Sequence, residues 1–518
     1  MKFKKIIYNA IIAALAGFTT TGCSDFLKEH SQDLAKVETW ADLDEVLLGG
    51  AYVKTGRIVP GENYNGPSMD SDFSLDILHL MSDEIEFTDD DYNDYVGYRT
   101  DYYAFYTWQP DLGMDYQNRY IANDSKFWTG LYERINVCNM VLSLIDDQPQ
   151  STQNDAIQKK RVKGEAYYLR GLYYFTLANL YCEPYAPSTA GSKLGVPVKT
   201  TEYVEDIEFN RGNLAETYQQ ILSDLTAAEE CLKDVPSKSI YRADVNAVRL
   251  LLSRVYLYMQ DWDKAIAYSK QVIADHGSLL DLRSIVAEQN SVSATSPETI
   301  LSMGDYNVAV AFADTRYYIA AHRVSEEMYD KYTNADLRKT RYVGSTANRK
   351  GPRAFLKFNG QNTHWGSYSD YGSVFSLRSP EAYLTLAEAS AYKGDENTAR
   401  ETLKKFLATR MEGTVTVEDT GNDLLDFIRE ERAREFILEG HRWFDLRRYS
   451  VNETHPWSVA IDHKYPIYDG RYFDHYDVYR LEPFDVAYTL TVPRDVINQQ
   501  VSLGTVVRPA RPAYDTEY

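Results

Sequence analysis

Gly421–Ser450 reads GNDLLDFIREERAREFILEGHRWFDLRRYS. Leu424, Leu425, Ile428, Phe436 and Ile437 recur at helical spacing behind Asp423, which stands where an N-cap belongs. Glu430 and Arg434 are four apart and Glu431 and Arg434 three apart, so each pair can meet on one face. Gly440 ends the helix in the position where a left-handed residue is wanted. His441–Tyr449 follows as a second, short helix, with Trp443, Phe444 and Leu446 apolar and Arg442, Asp445, Arg447 and Arg448 polar. By charge and spacing alone this is a charged surface helix followed by an amphipathic turn, each ion pair worth tenths of a kcal/mol.

The order of residue types says more. Ile428, Arg429, Glu431, Arg432, Glu435, Phe436, Glu439, Gly440 and Arg442–Arg448 form the string I-R-x-E-R-x-x-E-F-x-x-E-G-x-R-W-F-D-L-R-R. That string closely resembles the C-terminal signature of the SusD/RagB family of Bacteroidetes outer-membrane lipoproteins. The resemblance implies a mainly α, SusD-like fold, in which tetratricopeptide-type helix pairs carry a loop-rich ligand-binding face.

Periodicity in the rest of the chain agrees. Thr39–Val53 reads as a helix capped by Thr39, Leu75–Glu86 as a second and Lys126–Ile145 as a third. Lys163–Tyr181 follows, then a Pro/Gly-rich excursion to Gly212 and the helix Leu214–Leu232. Asp244–Met259 pairs tightly with Trp262–Ala274, as Pro380–Lys393 does with Asn397–Thr409. Overlaid at an offset of 134, the two pairs match Leu250 with Leu384, Leu252 with Leu386, Tyr258 with Tyr392, Asp261 with Asp395 and Ala265 with Ala399. A small alanine early in the second helix lets two backbones pack closely, which is the logic of stacked helix pairs. Met303–Gly372 is irregular, with only Val324–Tyr332 helical, and its Asp336-Leu337-Arg338 matches a D-x-R of the family. The tail Tyr488–Gln500 resembles the family's ending, in which a short strand leads into P…N.

The 518 residues carry a net charge of -21, which argues against nucleic acid as a partner because nothing would neutralise phosphates. Tyrosine is over-represented at 43, and its flat apolar face and hydroxyl suit core edges and polar ligand surfaces alike. Cys138, Cys182 and Cys231 lie far apart with no CxxC, so they build neither a disulfide framework nor a zinc site. Cys138 and Cys182 fall within apolar helical patterns and read as buried thiols.

At the N-terminus Lys2, Lys4 and Lys5 precede an apolar run from Ile6 to Phe18, too short to span a bilayer, and then Thr20-Thr21-Gly22-Cys23. This resembles a lipoprotein signal peptide over residues 1–22, with acylation of the Cys23 thiol, although Thr20 stands where a lipobox usually has an aliphatic residue. An ordinary secretory peptide cut near Gly17 would leave Cys23 as a lone exposed thiol. The mature chain, 23–518, is read as one SusD-like domain, with 23–300 its N-terminal part and 301–518 its C-terminal part.

No HExxH, GxSxG, P-loop or GxGxxG occurs, and the nine histidines are scattered, so the chain is not read as an enzyme. From Phe87 to Asn118 helical period vanishes, and long loops in compact domains are usually functional. Tyr92, Tyr95, Tyr98, Tyr102 and Trp108 are interleaved there with Asn93 and other polar residues. A sugar ring offers an apolar C–H face and a rim of hydroxyls, so an aromatic plane beside Asp, Asn or Arg suits it. Tyr306, Arg316 and Tyr317 match in order the second aromatic segment of SusD-like glycan sites. Asp89, Asp91 and Asn93 fit the first alternating oxygens of a calcium loop, but Asp94 replaces its glycine and Thr100 its glutamate. A solvated acidic loop is the better reading, with calcium as the alternative; no other cofactor is expected.

The resemblance implies a lipid-anchored protein on the outer face of the outer membrane. It would capture oligosaccharide and deliver it to a SusC-like TonB-dependent transporter. A RagB-like peptide binder, and a scaffold that only docks proteins, are the alternatives.

Overall fold

The computed structural model describes residues 37–53, 75, 77–87, 102–121, 124–203, 207–285, 291–303, 322–346, 349–357, 371, 375–469 and 472–517. Its longer helices are α1 (Trp40–Gly50), α2 (Ser125–Leu144), α3 (Gln153–Tyr181), α4 (Leu214–Leu232) and α5 (Val245–Tyr258). They continue with α6 (Trp262–His276), α7 (Ser379–Tyr392), α8 (Glu396–Leu407), α9 (Gly421–Glu435) and α10 (Arg442–Ser450). The strands are few and mostly short, so the fold is mainly α.

Local chemistry sets several helix starts. Thr39 with Asp42, Thr152 with Asp155 and Asn213 with Glu216 each form a reciprocal capping box at the head of α1, α3 and α4. The box at Thr152 starts α3 ten residues before Lys163, where apolar periodicity alone placed it. From Val162 onward α3 is buried almost all round, between α2 on one side and α4 on the other, as a central helix must be. Its buried charges are paired: Arg170 donates to both oxygens of Asp224, at 2.9 and 2.6 Å, and Arg161 reaches Asp44 and Glu165.

The repeated pairs are α5–α6 and α7–α8, and α6 packs on α7 so that one pair covers the next. Their turns correspond: Gln260 at φ 61° and Gly394 at φ 80° reverse the chain. Asp261 and Asp395 then cap the following helix by accepting from Lys264 N and Thr398 N. Ala265 and Ala399 are fully buried, as close approach of two helices requires.

Helices α9 and α10 lie inside the molecule, and the surface-helix reading of Gly421–Ser450 is overturned. Arg338 donates to Asp336 at 2.9 and 2.8 Å, to Glu431 at 2.6 Å and to Glu435 at 3.3 Å, so the D-x-R segment is bolted to α9. Arg410 donates to Glu435 at 2.9 Å and Glu298 at 2.7 Å, and Arg378 to Glu298, Glu435 and Glu439. Lys357 donates to Glu439 and to the Glu435 carbonyl, and Arg434 to Glu431 at 2.7 Å. The carboxylates of Glu298, Asp336, Glu431, Glu435 and Glu439 thus face the cations of Arg338, Lys357, Arg378, Arg410 and Arg434. None of the ten residues is more than 9% exposed, and the equal count of signs is what lets the cluster remain dry. Burial pushes the Lys357 ammonium down to about 8. A second buried set, Arg432 and Arg448 with Asp445 and Glu388, fixes α10 to α9 and α7.

Four further stretches differ from the sequence reading. Asp423 lies in the first turn of α9, whose N-cap is Thr420, with Gly421 at φ 55° making the entry. The helix ends at Glu435; Gly440 does adopt φ 78°, but at the end of a turn in which Leu438 N donates to Glu84 at 2.7 Å. Leu75–Glu86 is not one helix: a single turn, Ile77–Leu80, gives way to the strand Ile85–Phe87. Asp83 between them takes Arg442 in a two-pronged pair at 2.7 and 2.6 Å, an external demand that helical pattern does not reveal. In the tail, Tyr488–Gln500 holds a short helix, Arg494–Gln499, and no strand.

A three-stranded sheet lies outside the helical pattern. Ile461–Asp469 and Tyr472–Leu481 form an antiparallel hairpin, and Asp515–Glu517 adds to its outer edge. Alternation was available there: Ile461, His463 and Tyr465 point inward, while Asp462 and Lys464 face solvent.

Candidate ligand-binding face

The stems of both tyrosine-rich segments meet. Ile85–Phe87 pairs antiparallel with His322–Val324, and Phe87 stands directly opposite His322. Residues 88–101 therefore leave at the point where residues 304–321 return. The Phe87 ring lies 4.3 Å from that of His322, 4.7 Å from Tyr106 and 5.7 Å from Tyr465 of the hairpin. Two segments remote in sequence are thus tied to one aromatic base, with the hairpin as its third wall.

Tyr92, Asn93, Tyr95 and Tyr98 lie outside the described residues, as do Tyr306, Arg316 and Tyr317, the calcium candidates Asp89 and Asp91, and Cys23. Tyr102 and Trp108 are described, and neither is an exposed plane. Tyr102 is buried beside Phe105. Trp108 is 1% exposed; a φ of 51° turns it inward, and its Nε1 donates to Met81 O at 2.9 Å. Its indole stacks at 4.3 Å on His463, whose other stacking partner is Tyr106 at 4.2 Å. The His463 imidazole nitrogens lie 2.7 Å from Tyr106 O and 3.0 Å from Ser82 O, and burial holds its pKa down at about 4. Trp108 and Tyr106 fasten the hairpin to the stem through His463, and buried Tyr102 and Trp108 offer no plane to a ligand.

What faces outward is Tyr116, standing on a different set of aromatic rings. Tyr116, within the segment singled out by sequence but not chosen there, is 37% exposed. Its ring lies 5.3 Å from Tyr465 and 5.3 Å from Tyr103. Tyr103 and Tyr479 share a hydroxyl–hydroxyl hydrogen bond of 2.9 Å, to which Gln109 adds a donor. Asp477 stands opposite Tyr465 in the hairpin register. Burial, with the nearby Asp477 carboxylate, pushes the Tyr116 phenol above its ordinary value. Tyr465, Asp477 and Tyr479 come from the hairpin, whose alternating pattern was the only signal for them.

Cys138 and Cys182 are buried free thiols, and burial pushes Cys182 up to about 11. Among the described residues no group of three or more His, Cys, Asp or Glu side chains could hold a metal ion. No described helix is long and apolar enough to cross a membrane.

Comparison with known proteins reaches most of the chain. Residues 74–257 match the family described as starch-binding associating with outer membrane, in its SusD-like form, and residues 298–503 match the SusD family. A SusD-like protein of Bacteroides ovatus is 22% identical over 371 residues, 62% of this chain and 65% of its own length. The match therefore spans just under two thirds of that relative. Among solved structures, a sugar-binding protein so described from Bacteroides vulgatus superposes with a TM-score of 0.67 at 20% identity, covering 91% of this chain and 99% of its own. A SusD superfamily protein of Bacteroides thetaiotaomicron gives 0.65 at 21% identity, covering 90% and 99%.

Helix pairs carrying a tyrosine-lined face define the class: a mainly α protein of an outer-membrane-associated binding family. The chain belongs to the SusD/RagB family.

Proposed function

We propose that this protein captures oligosaccharide at the cell surface and delivers it to a SusC-like TonB-dependent transporter. It is held in the outer membrane by lipid on Cys23 and performs no chemistry on its ligand. One observation carries the reading: Phe87 and His322 tie the two tyrosine-rich segments to one base, beside an exposed Tyr116. Aromatic planes held on a rigid base suit the flat C–H face of a sugar, because little side-chain freedom is lost on binding.

Calorimetry against neutral gluco-, xylo- and manno-oligosaccharides is the test, with the Tyr95→Ala/Tyr98→Ala double variant beside the wild type. The variant is expected to keep its melting temperature and lose at least tenfold in affinity, about 1.4 kcal/mol. Wild-type protein that binds peptides and no saccharide would replace this reading with the RagB-like one.

A further inference from the structure

The hairpin's inner face does not stay buried along its length. Register pairs Ile461 with Leu481, His463 with Tyr479, Tyr465 with Asp477 and Ile467 with His475, so these eight side chains share one face. The first two pairs, Ile461 with Leu481 and His463 with Tyr479, lie in the core. Beyond Tyr465 the face emerges: the side chains of Asp477 and His475 are 22% and 19% exposed. Tyr116 lies beside this point of emergence, its ring tilted by 31° over Tyr465.

The polar groups there are ordered. His475 Nε2 lies 3.3 Å from Asp477 Oδ1, and Nδ1 lies 2.8 Å from Asp474 Oδ2. The imidazole is held between two carboxylates and steers Asp477. A carboxylate has about four lone-pair sites, so one contact with His475 leaves Asp477 capacity to accept further donors. Tyr116 is backed on one side by Tyr465 and edged by Tyr103, which fixes its plane without covering it. A fixed aromatic plane beside a partly exposed, oriented acceptor is the combination that a pyranose ring satisfies, with its C–H face on the ring and its hydroxyls donating to the carboxylate.

We propose that Tyr116 and Asp477 form a saccharide subsite on the hairpin wall, with His475 as the positioning residue, and that this subsite takes a neutral sugar unit. The sign follows from charge. Asp474 and Asp477 stand at the subsite, and the chain as a whole carries -21, so a uronate or sulfated sugar would bring like charge against like. This inference rests on the oligosaccharide reading above, but it concerns residues outside 88–101 and 304–321.

The experiment is calorimetry of the full mature chain with two panels: neutral gluco-, xylo- and manno-hexaoses, and acidic oligogalacturonate and chondroitin oligosaccharides. Tyr116→Ala and Asp477→Asn are measured beside the wild type, with thermal melts of each. Expected are neutral-sugar binding by the wild type, a loss of at least tenfold in Tyr116→Ala and at least threefold in Asp477→Asn, and unchanged melting for the near-isosteric Asp477→Asn. His475→Gln is expected to weaken binding less than Asp477→Asn does. Wild-type neutral-sugar affinity retained in both Tyr116→Ala and Asp477→Asn overturns the subsite and leaves the oligosaccharide reading standing. Preference of the wild type for the acidic panel overturns the assignment of ligand charge. Absence of binding to either panel overturns the oligosaccharide reading and the subsite with it.

Discussion

Arg338 donates from Nη1 to Glu431 Oε1 at 2.6 Å, joining segments 93 residues apart in a site closed to solvent. Both partners are buried, and each also serves a third group: Arg338 holds Asp336, and Glu431 holds Arg434. Such a lattice stores its cost in its parts. An intact neutral cluster is tolerated in a low-dielectric interior, whereas one missing member strands a charge.

Glu435 is the member with the most to lose, since it accepts from Arg338, Arg378, Arg410 and Tyr342. Glu435→Gln removes the negative charge and leaves the guanidinium groups in excess. A loss of about 3–5 kcal/mol in urea unfolding is expected. A wild-type midpoint would mean that the cluster is hydrated in solution.

Trp443 is fully buried, its ring 4.9 Å from that of Tyr488. Trp443→Ala is expected to cost about 3–5 kcal/mol, the range for large aromatic truncations in cores. Trp108→Ala belongs with it and not with the ligand contacts. It should lower the melting temperature, and any saccharide affinity measured well below that temperature should survive. A variant that melts like wild type but no longer binds would return Trp108 to the site.

Acid should weaken the fold in a defined direction. Burial alone would raise the Asp83, Glu431, Glu439 and Asp445 carboxylates, but their arginine and lysine partners outweigh it and hold them below the ordinary value. The unfolded chain, with carboxylates near 4, therefore binds more protons than the native one as pH falls, and stability present above about 4 is lost on going lower. His463 adds an earlier contribution, because its folded value of about 4 lies below the ordinary 6.5. Stability from this group is complete above 6.5 and declines as pH falls towards 4. Urea midpoints measured from pH 8 to pH 3.5 should fall first gently and then steeply; a flat profile would contradict the buried pairs.

Lipidation is tested at Cys23. Cys23→Ala should move the protein from the membrane fraction to the soluble one and abolish incorporation of radiolabelled palmitate. Label that still enters the variant would place the anchor elsewhere.

Sequence by itself determined whatever depends on neighbours a few residues away. The apolar spacing of Leu214–Leu232 reproduces α4 residue for residue, and the repeat that equates Asp261 with Asp395 is met by two matching N-caps. Periodicity and capping are local, so they are written along the chain. The order of types in Ile428–Arg448 likewise pointed to the SusD/RagB family, although it said nothing of where those charges lie. Only tertiary structure decided that they are buried, because a buried charge depends on partners such as Glu298 and Arg378 that come from other parts of the chain. The same dependence hid Asp83, which leaves the helical pattern to meet Arg442 359 residues away. It also separated Trp108 from Tyr116: both are aromatic, eight positions apart in one loop. Packing against His463 takes the first into the core, while the emerging face of the hairpin leaves the second in water.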